Sequence, residues 1–272
     1  MPSISTPAPR APRVIVLSPG EPNVATGTTP DRVYAAVARA ELHAFQIADP
    51  LADILIFPGG GYVQLVHDRE GTEVARWLNG AGFNAHVLVH RLPGAPGPGG
   101  QVQPPTIALD DAVAALTHLD ADRPWFALGL SSGGHLAGTL TCRAERPPAG
   151  LLIAYGPINA NHRDYKAPAG KPDYPPPEKQ AFYDAWPIAL ASEPHGIPPC
   201  PVFLAYALHD HVVPVEHALN AIITARDLNL DLDAHIFGRA PHGFATRDLK
   251  GSEADWPGLA ERWMRRKLGD PA

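Results

Sequence analysis

Gly129-Leu130-Ser131-Ser132-Gly133 sets a serine between two glycines, each two residues away. An apolar run, Trp125 to Leu128, leads into it, and a helical pattern starts near Ser132. At such a strand-to-helix turn a serine is lifted clear of the sheet, while the glycines keep other side chains out of the tight contact. The chemistry this offers is nucleophilic attack by the Ser131 hydroxyl on an acyl carbon. The Ser132 N–H, at the helix start, is placed to donate to the oxyanion that forms.

A weak nucleophile needs a base, and the base needs an orienting acid. Asp210 lies in Ala207-Leu208-His209-Asp210-His211-Val212-Val213-Pro214, just past an apolar run. His209 and His211 around it could be read as a metal fragment. In extended chain, however, they alternate faces, and no further ligand cluster accompanies them. They are expected to be polar neighbours of the acid. Asp231 and Asp233 are the competing acids. His242 stands in Gly238-Arg239-Ala240-Pro241-His242-Gly243-Phe244, after the last apolar run. A loop there gives a base the freedom to serve two proton transfers. The chain order Ser131, Asp210, His242 is the order expected of an elbow serine and its partners. His67, His86, His90 and His118 are expected to be surface or helix-packing residues, and His135 to pack one turn beyond the elbow.

Phe57-Pro58-Gly59-Gly60-Gly61-Tyr62 follows another strong apolar run. Three successive glycines let backbone approach a substrate closely and turn N–H groups towards it. The rival reading is a flexible glycine turn. A phosphate loop is excluded, because no Gly-Lys-Ser/Thr follows.

These residues need a scaffold that brings distant loops together. Short apolar runs alternating with amphipathic segments are the α/β pattern. Strands are expected at Val14–Leu17, Leu42–Ile47, Asp53–Phe57, Ala85–His90, Trp125–Leu128, Leu151–Tyr155, Val202–Ala207 and Ala234–Phe237. Helices are expected at Gly71–Asn79, Ile107–Leu119, Ser132–Arg143, Val215–Leu228 and Asp255–Leu268. Continuous runs such as Ile54-Leu55-Ile56-Phe57 suit a parallel sheet covered on both faces. Leu92 to Pro105 reads as a Pro/Gly-rich loop. The stretch 159–201 is rich in proline, with Tyr165, Tyr174, Phe182, Tyr183 and Trp186 scattered through it. A loop this long between two strands is expected to cap the sheet's C-terminal edge, where ligands bind in open α/β sheets.

The chain has 272 residues, a net charge of -6 and 45% hydrophobic residues. That suffices for a sizeable core and leaves no basic footprint for nucleic acid. No apolar run approaches a membrane span. Residues 1–12 read as a disordered arm without the apolar stretch of a signal peptide, so the cytoplasm is the expected location. Cys142 and Cys200 are expected to be free thiols.

In chain order, Pro-Gly-Gly-Gly-Tyr, Gly-x-Ser-x-Gly-Gly-His-Leu-Ala, Asp-x-Val-Val-Pro and His-Gly-Phe resemble the α/β-hydrolase esterases. The nearest resemblance is to the acetyl-esterase and acetylxylan-esterase-like group, over roughly Ser18 to Leu268. It implies one domain over 13–272, with a mostly parallel eight-stranded sheet, helices on both faces and a Pro-rich cap insert. It implies Ser131 as nucleophile, His242 as base and Asp210 as its acid, with Gly60, Gly61 and Ser132 as oxyanion donors and no cofactor. The expected partner is a small-molecule ester, O-acetylated sugars included, with Tyr62, Tyr165, Tyr183 and Trp186 as substrate contacts. Ser132 stands where that group often has alanine, and Leu208-His209 departs from its usual small residues. Rival readings are a peptidase of the prolyl-oligopeptidase kind, a formamidase or lactonase, and a non-catalytic binding protein on the same fold.

Overall fold

The computed structural model describes residues 11–97, 100–158 and 198–270. The cap expected at 159–201, with Tyr165, Tyr183 and Trp186, lies almost wholly outside these residues, as does nearly all of the 1–12 arm.

Eight strands form one sheet: β1 Arg13–Val16, β2 Glu41–Phe45, β3 Asp53–Phe57, β4 Asn84–Val89, β5 Trp125–Leu130, β6 Gly150–Ala154, β7 Val202–Ala207 and β8 Leu232–Phe237. Their order across the sheet is β1-β2-β4-β3-β5-β6-β7-β8. The β1–β2 and β2–β4 pairs are antiparallel, and every pair from β4 to β8 is parallel. Among the described residues five helices flank it: α1 Glu73–Gly80, α2 Ile107–Leu116, α3 Ser132–Thr141, α4 Glu216–Asp227 and α5 Trp256–Lys267.

The continuous apolar runs follow from burial on both faces. Successive side chains of a strand point to opposite sides. Leu55 and Phe57 of β3 join a core with Ala112 of α2, Leu136 of α3 and Ala221 of α4. Ile54 and Ile56 join the opposite core with Val74 of α1 and Trp263 of α5. Helices α2, α3 and α4 therefore share one face, and α1 and α5 the other. Full burial of a side chain such as Ile56 stabilises the fold by about 1.5–3 kcal/mol.

Two short segments modify the expected helices. A π-helical turn, Asp68–Thr72, precedes α1, and a 3₁₀ turn, Ser252–Asp255, precedes α5. The expected start of α1 at Gly71 thus falls inside the π turn. The histidines expected at the surface or on helices divide. His118 is exposed, whereas His67, His86 and His90 are buried. His86 sits beside Asp53 at 3.4 Å, and His67 beside Thr72 at 3.4 Å. A partner within the fold is what allows such polar rings inside.

Candidate active site

The parallel strands decide which loops meet. β3, β5, β7 and β8 all point the same way, so the residues that follow them emerge at one edge of the sheet. The glycine loop follows β3, Ser131 follows β5, Asp210 follows β7 and His242 follows β8. β3 and β5 are neighbours, which sets the glycine loop directly beside Ser131.

Ser131 has φ 50° and ψ -128°, a left-handed conformation rare for a residue with a side chain. Holding it costs on the order of 1–3 kcal/mol. Its N–H is anchored on the Ala154 carbonyl at 2.9 Å, and its carbonyl accepts the Gly134 N–H at 2.8 Å. The two glycines of the motif have a steric cause. A Cβ on Gly129 would collide with the Gly133 carbonyl, and one on Gly133 with the Phe57 carbonyl. Helix α3 can therefore start hard against the ends of β3 and β5.

Ser131 Oγ lies 3.1 Å from His242 Nε2. On the far side of the ring, His242 Nδ1 lies 2.7 Å from Asp210 Oδ2. The Asp210 side chain is wholly buried, and that of His242 is 20% exposed. Asp210 Oδ1 accepts the Val212 N–H at 2.7 Å and the Val213 N–H at 3.0 Å. A carboxylate only accepts, so Nδ1 carries the imidazole proton and the Nε2 lone pair faces the serine. His209 and His211 are exposed on either side of Asp210. Among the described residues no group of three or more His, Cys, Asp or Glu is arranged to hold a metal.

The expected oxyanion donors divide. The Ser132 N–H, at the start of α3, and the Gly60 N–H make no hydrogen bond to protein among the described residues. Gly61 differs from expectation: its N–H is held by the Ser132 hydroxyl at 2.9 Å, which leaves it no hydrogen for an oxyanion. Tyr62, expected at the substrate, is 1% exposed. Its backbone is left-handed, with φ 59°. The hydroxyl meets His135 Nδ1 at 2.9 Å and the ring packs 5.7 Å from His90. Tyr62 is packed within the fold rather than presented to a ligand.

Two residues beneath the site have no counterpart in the sequence reading. Glu70, in the π turn, is buried and accepts the Gly59 N–H at 2.7 Å. Tyr155, just after β6, donates its hydroxyl to Glu70 at 3.3 Å and accepts the Ala245 N–H at 3.2 Å. Its ring stands edge-on to His242, with centroids 5.1 Å apart. Burial pushes the Glu70 carboxyl up, opposed by the charge of His242 and by the Gly59 and Tyr155 hydrogen bonds. Burial and then the Glu70 charge push the Tyr155 phenol well up. One signal of Glu70 was present in the sequence. It precedes Val74 and Leu78 at four-residue intervals, on the face that α1 buries.

No protein-family model matches the chain, and no curated protein matches it. Solved structures do. An acetyl ester-xyloside bifunctional hydrolase from Caldicellulosiruptor lactoaceticus is 21% identical with a TM-score of 0.65, over 98% of this chain and 100% of that one. A carboxylesterase from Lactobacillus plantarum is 21% identical with a TM-score of 0.65, over 92% and 98%. An α/β-hydrolase enzyme from a deep-sea metagenome is 22% identical with a TM-score of 0.60, over 92% and 99%. Sheet order, helix layers and these likenesses agree, and the chain has the α/β-hydrolase fold.

Proposed function

We propose that this chain is a serine carboxylesterase acting on short-chain acyl esters, with O-acetyl groups on carbohydrates as the natural class. The observation that carries the reading is the relay from Ser131 through His242 to Asp210, mounted on a strained elbow. Ser131 Oγ attacks the ester carbonyl carbon while His242 Nε2 takes its proton. Asp210 holds the ring and balances the imidazolium. The carbonyl oxygen becomes an oxyanion facing the Gly60 and Ser132 N–H groups, each such donor contributing ~3–4 kcal/mol to the transition state. The intermediate collapses, and the alkoxide leaves with the proton from His242. Water, deprotonated by His242, then attacks the acyl-serine; the acyl–Oγ bond breaks, His242 returns the proton to Ser131 Oγ, and the acid departs.

The sugar side of the reading draws on the acetyl ester-xyloside hydrolase likeness, at an identity that speaks for fold. The test is a panel of p-nitrophenyl esters from acetate to octanoate, run beside acetylated xylose, a lactone, a formyl amide and an aminoacyl anilide. Acetate and acetylated xylose turned over fastest, with no activity in Ser131→Ala, is the expected result. Octanoate or the anilide leading would replace the reading with a lipase-like enzyme or a peptidase.

A further inference from the structure

Glu70 is a buried carboxylate that the hydrolytic relay does not use, yet it links the glycine loop to the histidine loop. On one side it receives the Gly59 N–H, the residue before the expected oxyanion donor Gly60. On the other it receives the Tyr155 hydroxyl, whose oxygen holds the Ala245 N–H three residues beyond His242. A Cβ on Gly243 would lie 3.7 Å from Glu70 Oε1, so the carboxylate also lies under the backbone next to His242. The Gly59 N–H and the Tyr155 hydroxyl each meet a different Glu70 oxygen, an arrangement that an ionised carboxylate can accept from both sides. The groups facing it are Arg69 of the same turn, Tyr155 of the loop after β6, and His242, whose far side is held by Asp210.

We propose that Glu70 is a positioning residue for hydrolysis, a second carboxylate that ties the glycine loop to the histidine loop and supports the charge His242 acquires from Ser131. The proposal rests on the hydrolytic reading above. The Gly59 bond fixes where the Gly60 N–H points, and the Tyr155–Ala245 bond fixes how far His242 stands from Ser131. The negative charge beneath the ring favours the imidazolium. Glutamine keeps the shape of the side chain but loses that charge. Its amide oxygen can still accept the Gly59 N–H, but its N–H₂ then faces the Tyr155 hydroxyl, which must turn its own hydrogen away from residue 70.

The experiment compares wild type, Glu70→Gln and Glu70→Asp in p-nitrophenyl acetate hydrolysis and in labelling of Ser131 by a fluorophosphonate. Labelling joins Oγ to phosphorus and expels fluoride, and it requires no knowledge of the natural ester. In Glu70→Gln the expected kcat falls on the order of 100-fold with KM little changed, the loss typical of a reacting group displaced by about 1 Å. The acid limb of its pH–rate profile moves to lower pH, because an imidazole without a neighbouring negative charge gives up its proton more readily. Glu70→Asp retains the wild-type acid limb. A Glu70→Gln protein with wild-type kcat and labelling rate, or one whose loss lies in KM with an unmoved profile, overturns the proposal. If Glu70→Gln does not fold, Tyr155→Phe, which removes one hydroxyl, takes its place. Lower kcat at unchanged KM supports the proposal, and wild-type kcat overturns it. Failure of the hydrolytic reading shows separately, as a wild-type protein that the fluorophosphonate does not label.

Discussion

The Ser132 hydroxyl accepts the Gly61 N–H at 2.9 Å, so a side chain of the nucleophile turn holds the glycine loop across 71 residues of sequence. The residue that follows the serine is therefore more than a backbone donor. Ser132→Ala leaves the Gly61 N–H without its partner and the loop freer to move. A hydrogen bond of this kind is worth about 1 kcal/mol, so kcat should fall about 5-fold while KM holds. Steady-state kinetics on p-nitrophenyl acetate check it. A rise in KM at constant kcat would place the hydroxyl at the substrate.

Ser131→Ala should abolish ester hydrolysis, by as much as ~10⁶-fold in kcat, in a protein with native circular dichroism. Ser131→Gly should be equally inactive but more stable. Glycine occupies the left-handed backbone at 131 without strain, a gain of about 1–2 kcal/mol. Thermal melting should rise by ~2–4 °C per kcal/mol in a chain of this size. A melting point at or below that of the alanine variant would show that the elbow is not strained.

Asp210→Asn should lower kcat by about 10⁴-fold, since an amide at 210 selects the wrong imidazole tautomer. The competing acids serve as controls. Asp231 pairs with Lys267 at the start of β8, and Asp233 lies within β8 rather than beyond its end. Asparagine at either should leave kcat near wild type. A severe loss in Asp233→Asn with a mild one in Asp210→Asn would reassign the acid.

His67 should make stability fall in mild acid. Burial, followed by the charge of His43, lowers its pKa from 6.5 to about 4. The unfolded chain therefore takes up the proton first as pH drops. The stabilisation is complete above 6.5 and is lost as pH falls from there through about 4, roughly 3 kcal/mol in all. Melting temperature measured from pH 7.5 to 4 should decline over that window, and His67→Gln should flatten the decline. Identical slopes in the two proteins would count against it.

The sheet was legible because burial on both faces leaves an unmistakable trace. Asp53–Phe57 and Val202–Ala207 are read to the residue, since every side chain between those bounds is buried. β5 runs two residues further than expected, because Gly129 reads as a turn residue and yet still pairs with Phe57. The start of α1 was misplaced because a 3.6-residue period does not reveal the wider π turn before it. Ser131, Asp210 and His242 drew attention through short motifs at strand ends. Other features depend on which atoms meet between elements remote in sequence. The partner of the Gly61 N–H, the direction of the Tyr62 ring and the role of Tyr155 are of that kind. Periodicity carries no information about them.

The strand order has a consequence for how the site comes apart. Ser131 hangs from β5, which is paired on both sides in the middle of the sheet. His242 hangs from β8, which among the described residues is an edge strand paired to β7 alone and is only half-buried over most of its length. Edge elements with little burial open at lower free energy than central ones. Amide hydrogens of β8 should therefore exchange with solvent well ahead of those of β5. In rising denaturant the base should leave the nucleophile while the sheet's centre is still native, so that loss of activity should precede loss of circular dichroism.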